Sequence, residues 1–91
     1  MESTAKIYAY PARFTLHAER EMSFCFPDFH SPERHLTPEE MPQLIDVAAD
    51  ALGALLNEYL LLGKALPEAT PLEALDLNEN QKGLWIQIAE A

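Results

Sequence analysis

The chain is short of positive charge. Six Lys and Arg stand against fifteen Asp and Glu, a net charge of −9 over 91 residues. Nucleic-acid affinity rests on Lys and Arg neutralising phosphates. Here the basic residues Lys6, Arg13, Arg20, Arg34, Lys64 and Lys82 are few and scattered. Direct nucleic-acid binding by this domain is therefore not expected. Cysteine is nearly absent. A lone Cys25 forms no internal disulfide, which fits a reducing, cytoplasmic setting. Long apolar runs are missing too. The run Tyr59-Leu60-Leu61-Leu62 is far too short to span a membrane. The opening Met-Glu-Ser-Thr-Ala-Lys carries no apolar leader segment. No internal repeat and no low-complexity tract occurs, and the length suits one domain, residues 1–91.

What is present is patterned. Lys6 to Ala18 reads as a strand, rich in β-formers, with Phe14, Leu16 and Ala18 alternating with Thr15 and His17. Pro11 cannot donate to a ladder, so it marks either an edge position or the start of the regular strand. Glu19-Arg20-Glu21 is a polar break. Met22, Phe24 and Phe26 then alternate with Ser23 and Cys25, a second strand antiparallel to the first through a tight hairpin. Pro27 ends it, and a weak third strand is indicated near Arg34 to Leu36.

Thr37-Pro38-Glu39-Glu40 is a helix start, with Thr as N-cap, Pro next and Glu three residues after the cap. Pro42 lacks the N–H a helix would use there. Either the first turn is irregular or the regular helix begins nearer Met41. Leu44, Ile45, Ala48, Leu52, Leu55, Leu56 and Tyr59 follow three- and four-residue spacing, with Asp46, Asp50, Asn57 and Glu58 on other faces. Gly63 is placed to terminate this helix near Leu62. A Pro-containing acidic connector follows, then turn chemistry at Asn78–Gly83 and a strand at Leu84–Ile88. The expected fold is α+β: a small antiparallel sheet of three to four strands with one long helix packed on it, in the order β-β-β-α-β.

Three pieces, in order, resemble the HicB antitoxin family of bacterial toxin–antitoxin systems. They are the strand closing on Phe26-Pro27-Asp28-Phe29, the helix through Ala48-Ala49-Asp50-Ala51-Leu52 to Gly63, and the exit Gly63-Lys64-Ala65-Leu66-Pro67-Glu68. A late strand such as Leu84–Ile88 also fits. Family members often continue with Pro-Gly-Cys after the first motif, where this chain has His30-Ser31-Pro32. The resemblance implies a trimmed ribonuclease H-like fold without nuclease activity. It also implies a HicA-like partner, a small basic toxin that cleaves mRNA. The family's usual C-terminal DNA-binding module has no counterpart here. Phe26, Pro27, Asp28 and Phe29 are the expected partner contacts. An acidic surface favours encounter with a basic partner.

Other chemistries are less well supplied. A ribonuclease H-like nuclease needs clustered carboxylates for two metal ions, yet Ile7–Ala18 and Leu84–Ile88 contain none. Cys25, His30 and His35 match no standard zinc spacing and lack a fourth ligand. No catalytic residue, metal or cofactor is therefore expected. Cys25 lies on the strand face opposite Phe24 and Phe26, and His17 is expected to be exposed. Trp85 is either a binding hot spot or ordinary sheet packing. Leu60-Leu61-Leu62 either packs under the connector or marks a self-association surface. Because small sheets expose edges, a homo-oligomer is expected. The alternative to an antitoxin is a self-associating structural or regulatory domain of the same fold, without a toxin partner.

Overall fold

The computed structural model describes residues 6–89. Met1–Ala5, read above as lacking a leader, and the last two residues lie outside the described residues. Four strands and one helix make up the fold: β1 (Ile7–Leu16), β2 (Met22–Cys25), β3 (Arg34–His35), α1 (Leu44–Leu61) and β4 (Gln81–Ala89). The sheet order is β3-β2-β1-β4, and every neighbouring pair is antiparallel. The α+β arrangement expected from the sequence is the one found.

The hairpin between β1 and β2 closes through His17 N–H donating to the Glu21 carbonyl at 2.7 Å. Its tip bends through two consecutive left-handed residues, Glu19 (φ 63°) and Arg20 (φ 64°). Neither is the Asn or Gly that such a turn prefers.

Pro11 is not at a strand start but in the middle of β1, paired with Trp85 of β4 on one side and beyond the end of β2 on the other, which makes it a local edge position. The ladder explains why it is tolerated. Leu16 N–H donates to the Asn80 carbonyl, and bonding alternates along an antiparallel pair. Even-numbered β1 residues therefore bond towards β4, and odd-numbered ones point towards β2. β2 has already ended opposite Arg13. The missing donor of Pro11 thus faces a stretch where no strand pairs.

β4 also begins earlier than the composition indicates. The turn is confined to Asn78–Asn80, where Gln81 N–H returns to the Asn78 carbonyl at 3.1 Å. Gly83 belongs to the strand. A Cβ there would come within 3.0 Å of the Leu75 and 3.1 Å of the Leu72 side chain, so glycine at 83 lets the connector lie close over the sheet without those leucines shifting.

Directly opposed residues share a face of the sheet. Tyr10 with Ile86, Ala12 with Leu84 and Phe14 with Phe24 therefore line one face. Against it α1 buries Ala48, Leu52 and Leu56, which form a single core with Phe26, Phe29 and Leu36. Thr37 and Glu40 form a reciprocal capping box: Glu40 N–H donates to Thr37 Oγ1 at 3.3 Å, and Thr37 N–H to Glu40 Oε1 at 3.0 Å. Pro42 delays the regular helix. Met41–Gln43 is a 3-10 turn, and α1 begins at Leu44.

The other end of α1 stops sharply. Gly63 adopts φ 68°, with its N–H donating to the Leu60 carbonyl and Lys64 N–H to the Tyr59 carbonyl. This pair of bonds is the Schellman arrangement, which needs a left-handed residue at this point. Nothing lies within 4 Å of a Cβ at residue 63. Gly63→Ala is therefore expected to act through backbone strain alone, lowering stability by about 1–2 kcal/mol. Urea unfolding followed by circular dichroism checks this.

Candidate interaction surface

The turn that ends β2 is built from the first family-like motif. Pro27–Phe29 forms one 3-10 turn and His30 follows in the left-handed region (φ 54°). Ser31 Oγ accepts from Phe26 N–H at 2.9 Å, closing the turn on itself. Phe26 and Phe29 are both buried. The Phe29 ring meets Tyr10 edge-on at 4.7 Å and Tyr59 of α1 at 5.1 Å. These two aromatic side chains are therefore core, and they offer no surface to a partner.

Asp28 reaches the connector instead of solvent. Its carboxylate accepts from Thr70 N–H at 3.0 Å and from Thr70 Oγ1–H at 2.5 Å. Beside it, Tyr10 OH donates to the Pro67 carbonyl at 2.7 Å. Burial, with the charge of Asp28 nearby, pushes the Tyr10 hydroxyl above its ordinary pKa. The hydroxyl therefore keeps its proton to donate. The first family-like piece is thus bonded to the connector just beyond the third, and the third to β1. What remains exposed around the turn is His30 and Pro32. Glu58 precedes Tyr59, which packs on Phe29, and Glu68 lies between Pro67 and Thr70.

A polar cluster occupies the sheet face away from α1. Ser23, fully buried, donates to Glu33 Oε1 at 2.6 Å, and His17 Nε2 lies 2.7 Å from the same hydroxyl. Arg13 Nη2 reaches both Cys25 Sγ and Glu33 Oε2 at 3.3 Å. The His17 and His35 rings sit 5.3 Å apart. A serine nucleophile needs His between it and the acid. Here Ser23 stands between His17 and Glu33, with its proton directed at the carboxylate. The cluster fastens the loop carrying Glu33 to the sheet. Burial works against the Glu33 charge, but hydrogen bonds from Ser23, Cys25 and Arg13 outweigh it and hold the carboxyl below its usual range. The same burial, with Glu33 adjacent, raises the Cys25 thiol to about 11, since Arg13 offsets it only in part. A thiol that high is protonated at neutral pH, and the thiolate is the reactive form. Among the described residues no group of three or more His, Cys, Asp or Glu is arranged to hold a metal ion.

The remaining carboxylates form an unpaired surface. Two ion pairs occur among the described residues, Arg13–Glu33 and Arg34–Glu40. The bidentate Arg34 and the Thr37 N–H hold the Glu40 carboxyl at about 2. Asp46, Asp50 and Glu58 on α1, and Glu68, Glu73 and Asp76 in the connector, are exposed and outside these pairs.

Leu60, Leu61 and Leu62 are 50%, 78% and 60% exposed, so the connector does not cover them. Trp85 is 45% exposed, on the face opposite α1. His17 is exposed as expected. No helix among the described residues is long and apolar enough to cross a membrane. Comparison with protein-family models and with curated proteins finds no match.

Two measurements check this account. Asp28→Asn and Thr70→Val are each expected to cost about 1–3 kcal/mol, with the double variant costing clearly less than the sum. A double-mutant cycle in urea reads this directly. Cys25 is expected to react with a disulfide reagent at pH 8 only as fast as the protein opens, so its rate should rise in parallel with added urea.

Proposed function

We propose that this chain is the toxin-binding domain of a HicB-like antitoxin. It neutralises a HicA-like, mRNA-cleaving toxin by covering the toxin's RNA-binding and catalytic surface. Acidic side chains stand in for phosphates.

One observation carries the reading. The Phe-Pro-Asp turn, first of the three motifs behind the resemblance, is held through Asp28 to Thr70, two residues beyond the Leu-Pro-Glu exit, and the exit itself is held through Pro67 to Tyr10 of β1. Glu58, Glu68 and His30 are exposed, on a protein with net charge −9. With the rings of Phe26 and Phe29 buried, the proposed contact is the outer side of the turn, at Pro27 and His30. Charge complementarity of this kind speeds encounter and selects partners.

Co-expression with a small basic HicA-like toxin tests the proposal. A salt-sensitive complex that restores growth is expected, and Glu58→Lys with Glu68→Lys should weaken it by about 10-fold or more at low salt. Absence of a complex together with unchanged toxicity overturns the reading.

A further inference from the structure

The structure points to an interface that the antitoxin reading does not require. We infer that two copies of this chain join edge to edge through β4, forming one continuous eight-stranded sheet.

The edge is open and unguarded. β4 lies at one end of the sheet order, and its nine residues pair with β1 in an unbroken register from Gln81 to Ala89. The alternation that frees Pro11 also fixes the outward groups. Even-numbered β4 residues bond to β1, so Gly83, Trp85 and Gln87 turn their N–H and C=O groups to the open side. Among the described residues no other backbone segment bonds to them. Natural sheets blunt such an edge with charge, proline or a bulge. β4 has no proline, no bulge and a single charge, Lys82. The opposite edge, β3, is only two residues long.

Apolar surface flanks this edge on both faces. On one, Trp85 is 45% exposed. On the other, α1 runs alongside β4. Leu44 shares a pocket with Lys82 and Leu84 near the start of both elements, and Gly53, Leu56 and Leu60 share a groove with Ile88 near their ends. Ile45 and Ala49 continue the Gly53 row at the four-residue helical interval. Ile45 and Leu60 are 48% and 50% exposed.

Charge selects the occupant. A basic partner is drawn to carboxylates, and neither β4 nor the Ile45–Ala49–Gly53–Leu60 row has any, Glu79 at the pocket before β4 being the acid beside them. Two chains of −9 repel over most of their surface and can approach where acids are missing. The geometry is also self-complementary. A two-fold axis normal to the sheet near Trp85 pairs β4 antiparallel with its copy, places Gly83 opposite Gln87, and brings the two helix rows together on one face. Nine residues at about 3.3 Å each give an edge of about 30 Å. With a sheet and helix layer about 20 Å deep, the contact is roughly 600 Å² per copy, near the size of a stable interface.

Sedimentation velocity over about 1–200 μM, with amide hydrogen exchange at the same concentrations, tests this. A dimer is expected, with the amides of Gly83, Trp85 and Gln87 gaining protection as it forms. Gln87→Pro removes an outward N–H without touching the β1 ladder, and should weaken the dimer by about 30-fold through two symmetry-related bonds. Leu60→Glu should weaken it by placing a charge in the apolar helix row. Unchanged circular dichroism in either variant shows that the fold is kept, and the two probe separate parts of the interface. A monomer throughout the range overturns the inference. So does a dimer indifferent to both substitutions, or protection of the β4 edge that appears only when a basic toxin is added.

Discussion

The pairing of β1 with β4 is the constraint on which the rest of the fold hangs. It joins the two ends of the described chain, Ile7 to Ala89 at one limit and Thr15 to Gln81 at the other. Contacts this distant in sequence form only after long loops have closed, and that closure has an entropic cost. Shorter-range contacts reduce it. The β1–β2 hairpin is local. α1 stops on Gly63, and the turn before its start is closed by Thr37 and Glu40. The connector is held at Pro67 by Tyr10 and at Thr70 by Asp28. That leaves a short span before Asn80 can meet Leu16. Tyr10 takes part twice, with its ring in the core and its hydroxyl on the connector.

Much of this was legible beforehand, and the misses have physical causes. Alternation located the hairpin, because each of its faces has one character over several residues. The three- and four-residue spacing located α1, and Gly63 located its end. Pro11 indicates an edge without saying which side of the strand is open; β2 is short, so β1 is an edge on one side for more than half its length. Gly83 reads as a turn residue because glycine marks turns and close approaches alike. The leucines that press on it lie in the connector, where no periodicity announces them.

The motif at Phe26–Phe29 teaches a related lesson. It was legible as a pattern but not as a surface. A strand-ending aromatic pair around Pro-Asp says that the chain turns there. It does not say whether the rings point inwards. The helix and connector that bury them lie far along the sequence, and so does Thr70, which occupies Asp28. Cys25 was placed correctly on the second face of the sheet, but its burial depends on a loop held down by Ser23, Glu33 and Arg13. The residues left to act on other molecules are those with no internal partner: the exposed carboxylates and the bare edge of β4.

The antiparallel pairing of the chain's ends also has a mechanical consequence. Ile7 and Ala89 are neighbours, so tension applied through the two ends pulls β1 and β4 apart across their ladder, not along it. Bonds perpendicular to the strands then take the load one pair at a time, beginning at Ile7. Such a sheet unzips where a sheared one would hold. A machine that grips either end and pulls, as an unfolding protease does, begins its work at the weakest point of the sheet.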